Sequence, residues 1–498
     1  MLTQPPRRRR HTSQQTSQFV PWHDYLRRLG LLPILALTDL AAPFIPAPPG
    51  SVHWHGAQTV CTEVGAVLLL MALLCRPWRL SLTAFGLNRW LPFVFLYLLF
   101  LWGLVSCLLS PTPFAVQGLL LLGLGVLVAG VTAAWAVGSS RVLLAVASVV
   151  LPAVLVAFSG LIQMGSGSNS LAVGVLQDHQ LFGAFLLLPT PLCLALSLAP
   201  GTLTQRLTGQ ASFVICLLGL AEAQHRSAWI GAVVSLIVFG LLWLLRGTSH
   251  GKTKSLAIGS KMISASSAIP VILLCTLLLG MIALLPDRER LVARLLTVQG
   301  ASQNRDYSMQ WRQSVWEGTR RMIAERPLVG WGIGSFPLYH NFCTHTGYIR
   351  QHVHLQGPSI EDEAYNSYLQ VWAELGIVGL LLWLGAFFSL IGTAIQSLRR
   401  QIPGNLEEWL LIGGLSAVAG QMTDALANPA WQFGSVLLPL WIVFGLTAAL
   451  SAPRRAAQPP PARSLLWRIA QYGFAAALGL WLLLLIWRTA FALPAPHL

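Results

Sequence analysis

Charged residues are scarce in this sequence. Asp, Glu, Lys and Arg make up 10% of its 498 residues, whereas a soluble domain carries about a quarter. This is too little charge to solvate a globular surface, which excludes a soluble domain with a single membrane anchor. Apolar residues make up 55% and recur in runs of about 20, the length of helix that crosses a hydrocarbon core. The sequence therefore predicts an all-α integral membrane protein.

Cysteines are also few, and most of them lie in or beside apolar runs, where a disulfide framework is not expected. Six of the seven lie in or beside apolar runs, only Cys343 lies in a long polar stretch, and no Cys-x-x-Cys pair occurs. A small disulfide-stabilised scaffold is therefore excluded.

Acidic residues number 17 against 32 basic ones, a formal net charge of +15. The arginines lie between apolar runs and form no basic domain with base-stacking aromatics, which argues against nucleic acid as a partner. Membrane orientation explains them better.

About 12–13 transmembrane helices are predicted from the apolar runs. The 1–28 tail precedes nine helices within 29–286, a large external loop covers 287–365, three helices fall within 366–450, a Pro/Arg-rich linker covers 451–469, and a final helix with a short tail covers 470–498. The thirteen predicted spans are 29–48, 57–75, 91–110, 114–138, 142–164, 180–199, 208–225, 226–245, 266–286, 375–396, 409–427, 433–450 and 470–492.

The distribution of Lys and Arg predicts the orientation. With residue 1 in the cytoplasm, the short outer loops 49–56, 109–113, 165–179 and 427–433 contain no Lys or Arg, and the inner loops contain many. This is the positive-inside pattern. The N-terminus, 246–265 and 451–469 are then cytoplasmic, and 287–365 is external; long loops are exempt from the charge rule.

The external loop contains an amphipathic helix, predicted over residues 308–326 and ended by Pro327. Arg320 and Arg321 have Glu317 within one turn, which predicts ordinary surface pairing. Arg312 has no carboxylate at these spacings and is the better candidate for binding an anion. Arg326 also lacks such a partner, but a cation in the last turn equally suits the helix dipole.

Arg226 stands at the external junction of two apolar runs. Such an arginine is either a snorkelling interface anchor or an anion ligand. It departs from the charge pattern of the short outer loops, and a guanidinium matches a phosphate bidentately. Both observations favour the anion ligand.

A third polar patch runs from His352 and His354 to the acidic residues 361–363. With His340 and His345 these histidines fit no strong zinc spacing, so no metal is predicted. Three acidic residues in a row usually form a solvated loop end. At the mouth of a membrane span, however, a carboxylate such as Glu363 can act as general base towards a sugar hydroxyl if desolvation raises its pKa.

These patches resemble the O-antigen ligase and polymerase family over roughly residues 175–450. The resemblance rests on 178–183 (DHQLFG), 226–231 (RSAWIG), and 365–370 (YNSYLQ) continuing into 373–379 (AELGIVG); between them lie Arg312, Trp316 and 327–332 (PLVGWG).

The resemblance implies a helical enzyme of the cytoplasmic membrane that needs no cofactor. Its donor would be a polyprenyl-pyrophosphate-linked glycan, and its acceptor a hydroxyl of lipid A-core or of another repeat unit. Substrate binding would fall to Arg226, Arg312, Arg326 and Asn366, and catalysis to residues near 354–365.

The ligases carry a histidine immediately before the Asn of the last motif, and here that position is Tyr365. A phenol with a pKa of about 10 is a poor base at neutral pH. The base is then expected to be Glu363, Asp362 or His354, with Tyr365 lining the same site.

Two other functions are compatible with these residues. One is a small-anion transporter that recruits its solute through Arg226 and the loop arginines. The sequence shows no clear inverted repeat or matched pair of broken helices, which argues against it. The other is a non-catalytic assembly protein, which the tyrosine at 365 leaves open.

Overall fold

A computed structural model describes residues 87–110, 115–136, 138–165, 172–176, 178–249, 307–343, 363–399 and 404–451. All regular structure in this part of the chain is helical, which confirms the predicted all-α class. The predicted spans 29–48, 57–75, 266–286 and 470–492 lie outside the described residues, so the total of twelve to thirteen spans stays a prediction.

Twelve α-helices occur in the described ranges. They are α1 (Leu87–Leu109), α2 (Ala115–Trp135), α3 (Ser139–Gly165), α4 (His179–Leu187), α5 (Pro189–Leu198), α6 (Leu203–Glu222), α7 (Arg226–Ser249), α8 (Tyr307–Glu325), α9 (Phe336–Cys343), α10 (Ser367–Leu398), α11 (Leu406–Asp424) and α12 (Gly434–Leu450), with short 3₁₀ turns at Gly174–Leu176 and Ala430–Gln432.

Five stretches of helix are long and apolar enough to cross a membrane: Leu91–Leu109, Ser139–Gly165, His179–Leu198, Arg226–Leu244 and Ser367–Leu398. They agree with five of the predicted spans, and the protein is a multi-pass membrane protein. The third is interrupted at Leu188, where α4 ends and Pro189 begins α5. Proline has no N–H to donate to the preceding turn, so a new helix begins there.

Small residues allow some of these helices to approach closely. A Cβ on Gly231 of α7 would lie 2.8 Å from the carbonyl oxygen of Gly420 in α11, and a Cβ on Gly420 would lie 2.9 Å from that of Gly231. Lipid tails supply no hydrophobic drive for helix association, so backbone contact through small residues is what stabilises such a pair. The Gly231–Gly420 contact lies one helical turn from the polar residues described below.

The predicted outer loops meet at one end of the bundle. Gly332 of the large loop packs against Ser110 at the end of α1. Ala172 donates its N–H to the carbonyl of Glu222 at 3.3 Å, and Ser367 donates its N–H to the carbonyl of Ala425 at 3.0 Å. These loops therefore share one side of the membrane. Which side it is stays the prediction made from the charge distribution.

The large loop contains the predicted amphipathic helix. Helix α8 covers Tyr307–Glu325, buries Val315, Thr319 and Met322, and exposes Glu317 and Arg321, which form an ion pair at 2.6 Å. The prediction of 308–326 is confirmed, as is the predicted surface pairing. Helix α9 carries no long apolar pattern and was not predicted from the sequence.

Backbone pairing attaches this loop to α10. The N–H groups of Trp331 and Gly332 donate to the carbonyls of Ala373 and Glu374 at 3.0 and 2.9 Å. The carboxylate of Glu374 accepts from the N–H groups of Gly334 at 3.0 Å and Phe336 at 3.2 Å. Glu374 therefore holds the turn between α8 and α9 against α10.

Helix α10 is longer than the predicted span 375–396, because Asn366 caps a helical segment ahead of the apolar run. Gly376 interrupts it with φ +68, and a Cβ there would lie within 2.1 Å of the carbonyl oxygen of Leu328. Only glycine combines this backbone conformation with such a close approach. The interruption marks the place where the loop docks.

Candidate functional site

The turn between α6 and α7 brings a serine, a histidine and a distant aspartate together. Gln224, in this turn, has φ +47, a left-handed conformation that costs a non-glycine residue about 1–3 kcal/mol. After it, His225 Nε2 lies 2.8 Å from Ser227 Oγ, and Ser227 Oγ donates to Asp424 Oδ1 at 2.7 Å. All three side chains are buried.

The serine hydroxyl has one proton, and in this arrangement Asp424 accepts it. His225 must then donate to the serine oxygen, so the geometry assigns the ring proton to Nε2. The hydrogen bonds run from His225 through Ser227 to the carboxylate. This order differs from that of a nucleophilic serine, whose hydroxyl donates to the histidine. Ser227 is therefore a link that supports Asp424.

Asp424 also receives a hydrogen bond on its other oxygen. Asn428 Nδ2 donates to Asp424 Oδ2 at 2.8 Å and lies 3.5 Å from the carbonyl oxygen of Gln180. The neighbouring His179 ring is 6.0 Å from that of His225, edge to face. The stretch 178–183 thus meets the stretch 226–231 at the end of α11.

The start of α10 is attached to the same end of α11. Asn366 Oδ1 accepts from the N–H of Leu369 at 3.0 Å, which caps the helix. Its Nδ2 donates to the carbonyl of Leu426 at 2.8 Å, and Ser367 Oγ donates to the carbonyl of Asn428 at 2.9 Å. The carboxamide of Asn366 therefore has a structural role; its predicted contact with substrate stays a prediction.

Arg312 connects α8 of the large loop with Tyr365 before α10 and with the end of α11. Its guanidinium carbon lies 5.8 Å from the centre of the Tyr365 ring, and its positive charge acts on the carboxylate of Asp424. A carboxylate of α11 thus acts on Arg312 electrostatically, whereas its own helix offers none at neighbouring spacings. Tyr365 itself has φ +48, a second strained non-glycine residue, placed one residue before the cap of α10.

We call the set of His225, Ser227, Arg312, Tyr365, Asp424 and Asn428 the Asp424 cluster. Helices α4, α7 and α10 all begin beside it. A helix N-terminus carries a partial positive charge and N–H groups without helical acceptors. Asp178 caps α4 and Asn366 caps α10, so Arg226 and Arg312 are the groups at this end with which an anion can pair.

The other predicted site residues have different positions. Glu363 is half-buried, two residues before Tyr365. Arg326 stacks on Trp331 with its guanidinium carbon 4.4 Å from the ring centre. Arg326 lies about 20 Å from Arg312 along the axis of α8, at 1.5 Å per residue. The structure therefore does not bring Arg326 to the Asp424 cluster. His354 lies outside the described residues, as do Asp362, His345 and His352.

His340 belongs to the packing of the loop. Its Nε2 donates to the carbonyl of Val315 at 3.1 Å, and its ring stacks on Phe336 at 4.6 Å. Burial lowers its pKa, an effect that the hydrogen bond to Val315 partly opposes. Among the described residues, no three His, Cys, Asp or Glu side chains are placed to hold one metal ion.

Asp424, Ser227 and Asn428 were not among the site residues predicted from the sequence. The available signal was a carboxylate inside the predicted span 409–427. An ionisable residue at such a position is energetically costly in a membrane and is by default a candidate functional residue. Its partner Ser227 is 197 residues away in the chain, so no local pattern identifies that contact.

Comparison with protein families supports this part of the chain as an enzyme. Residues 211–384 match the family described as O-antigen ligase, and the segment includes Arg226, Arg312, Glu363, Tyr365 and Asn366. The resemblance found in the sequence is thereby confirmed for this segment, which is similar to the O-antigen ligase family. No curated protein matches the chain.

Proposed function

We propose that this protein transfers a glycan from a polyprenyl-pyrophosphate carrier to an acceptor hydroxyl at the outer face of the cytoplasmic membrane. The observation that carries the proposal is the position of Arg312, whose guanidinium lies over the ring of Tyr365 and acts electrostatically on the carboxylate of Asp424. This arrangement supports a site shared by the loop, the motif that opens α10 and the polar end of α11. The family match to residues 211–384 supports the reaction class.

Arg226 and Arg312 are proposed to bind the pyrophosphate of the donor. The glycan leaves when the bond between its anomeric carbon and the phosphate oxygen breaks, and negative charge then develops on the pyrophosphate. Guanidinium groups held in place before the reaction stabilise that charge without reorganisation. Buried Asp424 is proposed as a positioning residue, because its negative charge attracts the Arg312 guanidinium.

The acceptor hydroxyl oxygen forms the new bond to the anomeric carbon and gives up its proton. Glu363 and His354 are the proposed proton acceptors. Tyr365 is proposed to line the site beside Arg312 without accepting the proton, since a phenol is only about one part in a thousand ionised at neutral pH.

Replacing Arg312 tests the binding of the donor. Loss of one charge-assisted contact costs about 1.5–3 kcal/mol, so Arg312→Ala should lower kcat/KM roughly 10- to 150-fold. The kcat/KM of Arg312→Lys should lie between that of Arg312→Ala and that of the unaltered protein, because lysine keeps the charge and loses the bidentate geometry.

Arg321→Ala is the matched control, because Arg321 lies on the same helix, is exposed and pairs with Glu317. Transfer from a purified lipid-linked glycan should be unchanged in this variant. Equal rates for Arg312→Ala and Arg321→Ala, with equal donor binding, would show that the donor binds elsewhere.

The assignment of the base is tested by two near-isosteric changes. Tyr365→Phe removes only the hydroxyl and should retain most of the transfer activity, whereas Glu363→Gln removes the charge and should reduce it. The reverse result, with Glu363→Gln, Asp362→Asn and His354→Ala all active, would make the phenol the catalytic group.

Depletion of the protein in cells distinguishes the reaction types. Accumulation of single lipid-linked repeat units would indicate a polymerase, and accumulation of long lipid-linked chains would indicate a ligase. An unchanged pool of lipid-linked glycan would contradict transfer and favour the transport of a small anion.

A further inference from the structure

The turn between α8 and α9 presents apolar side chains outwards. Leu328 is 65% exposed and Val329 is 42% exposed, directly after Pro327. Isolated exposed apolar residues are common on protein surfaces and need no explanation. The position of this pair relative to the membrane-spanning part of α10 does call for one.

Backbone contacts set the height of this turn along α10. The N–H of Ile377 donates to the carbonyl of Pro327 at 2.9 Å, and the carbonyl of Leu328 lies against Gly376. After Gly376, residues 377–398 form a helix about 33 Å long at 1.5 Å per residue, close to the roughly 30 Å of a hydrocarbon core. The turn therefore lies where α10 enters the membrane.

The lipid-facing side of α10 continues below this level. Leu381 and Phe388 are each 59% exposed on the spanning part of the helix. Since this segment is long and apolar enough to cross a membrane, these side chains lie at the depth of the acyl chains. The exposed pair on the turn lies at the upper end of this apolar segment.

The residues beside the turn are those typical of a membrane interface. Trp372 donates its indole N–H to the carbonyl of Pro327 at 3.2 Å, and Arg326 stacks its guanidinium on Trp331. Tryptophan is enriched at the level of lipid headgroups, and arginine extends its charged end towards water from there.

The backbone of the turn is also suited to a medium of low polarity. The carbonyl of Pro327 accepts from both Ile377 N–H and Trp372 Nε1. Gly330 donates its N–H to the carbonyl of Arg326 at 3.0 Å, and Pro327 has no N–H to satisfy. Polar groups without hydrogen bonds are unfavourable in a bilayer, so these bonds remove that penalty for the carbonyls of Pro327 and Arg326 and for the N–H of Gly330.

We infer that the turn at residues 326–329 inserts Leu328 and Val329 among the acyl chains of the adjacent lipid leaflet. The occupant of this surface is the bilayer itself. The inference goes beyond the proposed glycan transfer and does not depend on it. The C-terminal end of α8 then lies at the membrane surface. This fixes the distance from the membrane of Arg312, which lies in the N-terminal half of the same helix.

Site-specific photocrosslinking in the full-length protein tests the insertion. Benzoylphenylalanine replaces Leu328 in protein reconstituted into vesicles of phosphatidylethanolamine and phosphatidylglycerol, and phospholipid adducts are counted by mass spectrometry after illumination. Replacement at Leu381 is the lipid-facing reference. Replacement at Arg321, exposed on α8 and paired only with Glu317 on the helix surface, is the water-facing reference.

The inference requires a yield of lipid adducts at position 328 that is close to that at 381 and several-fold above that at 321. A yield at 328 equal to that at 321 overturns it. A nitroxide attached at Leu328→Cys gives an independent measurement, with the unsubstituted protein as blank. The label should be accessible to oxygen and protected from a water-soluble nickel chelate; the opposite ranking also overturns the inference.

Discussion

The helices α7 and α10 both begin at the end of α11, and their starts are organised in different ways. Both follow a non-glycine residue with positive φ, Gln224 before α7 and Tyr365 before α10. The start of α10 has a local cap, because Asn366 accepts from the N–H of Leu369, and Asn366 and Ser367 also bond to carbonyls that follow α11. At the start of α7, Ser227 donates to the carboxylate of Asp424, which is 197 residues away. A local cap thus adds to the contact with α11 at one helix start, and a buried side-chain hydrogen bond makes that contact at the other.

The contact that positions Ser227 extends down the helix pair. Gly231 lies one turn after Ser227, and Gly420 lies one turn before Asp424, so the two glycines meet directly below the hydrogen bond. Close backbone packing and the Ser227–Asp424 bond therefore act on the same two helices. The following changes separate the two kinds of helix start, from the largest expected effect to the smallest.

Asp424→Ala should have the largest effect on stability. It removes a carboxylate that accepts from Ser227 and Asn428 and attracts Arg312. Removing one partner of a buried charged network typically costs about 3–5 kcal/mol. Thermal unfolding of the purified protein in detergent is the measurement, and transfer should be lost at temperatures where the variant is still folded.

A double-mutant cycle shows whether Asp424 supports one helix start or both. Ser227→Ala and Asp424→Ala should be non-additive, because they remove the two ends of one hydrogen bond. Asn366→Ala should add to Asp424→Ala. Additivity in the first cycle would mean that the Ser227–Asp424 bond does not stabilise the protein.

Gly231→Ala should destabilise the protein by about 1–3 kcal/mol, the usual cost of overpacking. Its Cβ would lie 2.8 Å from both a backbone oxygen of Gly420 and the side chain of Leu187. Gly240→Ala in the same helix is the control, since no atom lies within 4 Å of its Cβ position. The control should be neutral or stabilising, because alanine favours helix, and a similar loss in both variants would exclude close packing as the cause.

Asn366→Ala should lower the free energy of unfolding by about 1 kcal/mol, because the helix loses its cap. The effect should be confined to the first turn of α10, where hydrogen exchange of Leu369 should become faster. Asn366→Asp keeps the capping oxygen and should restore that protection. If exchange of the α7 start rises as much as that of α10, the two starts are not independent.

The smallest effect concerns pH. Burial lowers the pKa of His340 below its ordinary value of about 6.5. Since the unfolded chain then binds more protons, the contribution of neutral His340 is complete above about pH 6.5 and is lost as pH falls through the folded pKa. His340→Gln should flatten the dependence of loop stability on pH between about 7 and 5, and an unchanged slope of melting temperature against pH would contradict this.

The membrane-spanning helices could be predicted because the length and composition of an apolar run determine whether it crosses a bilayer. Helix α8 was equally predictable, since its apolar residues recur at helical spacing and Pro327 follows it. Helix α9 and the first turns of α10 were not, because they are stabilised by contacts with α8 and α11. The anion-binding role of Arg312 could be proposed from its sequence neighbours, but its partners could not.

The sequence by itself therefore determined the class of this protein, a multi-pass helical membrane protein with a segment that resembles the O-antigen ligase family. Those features depend on hydrophobicity, charge and short motifs, which act locally along the chain. Only the tertiary structure decided that Ser227 of α7 and the start of α10 meet the end of α11 around Asp424. The reason is physical: hydrogen bonds act over distances of about 3 Å, and folding alone brings these partners, which are far apart in the chain, within that range.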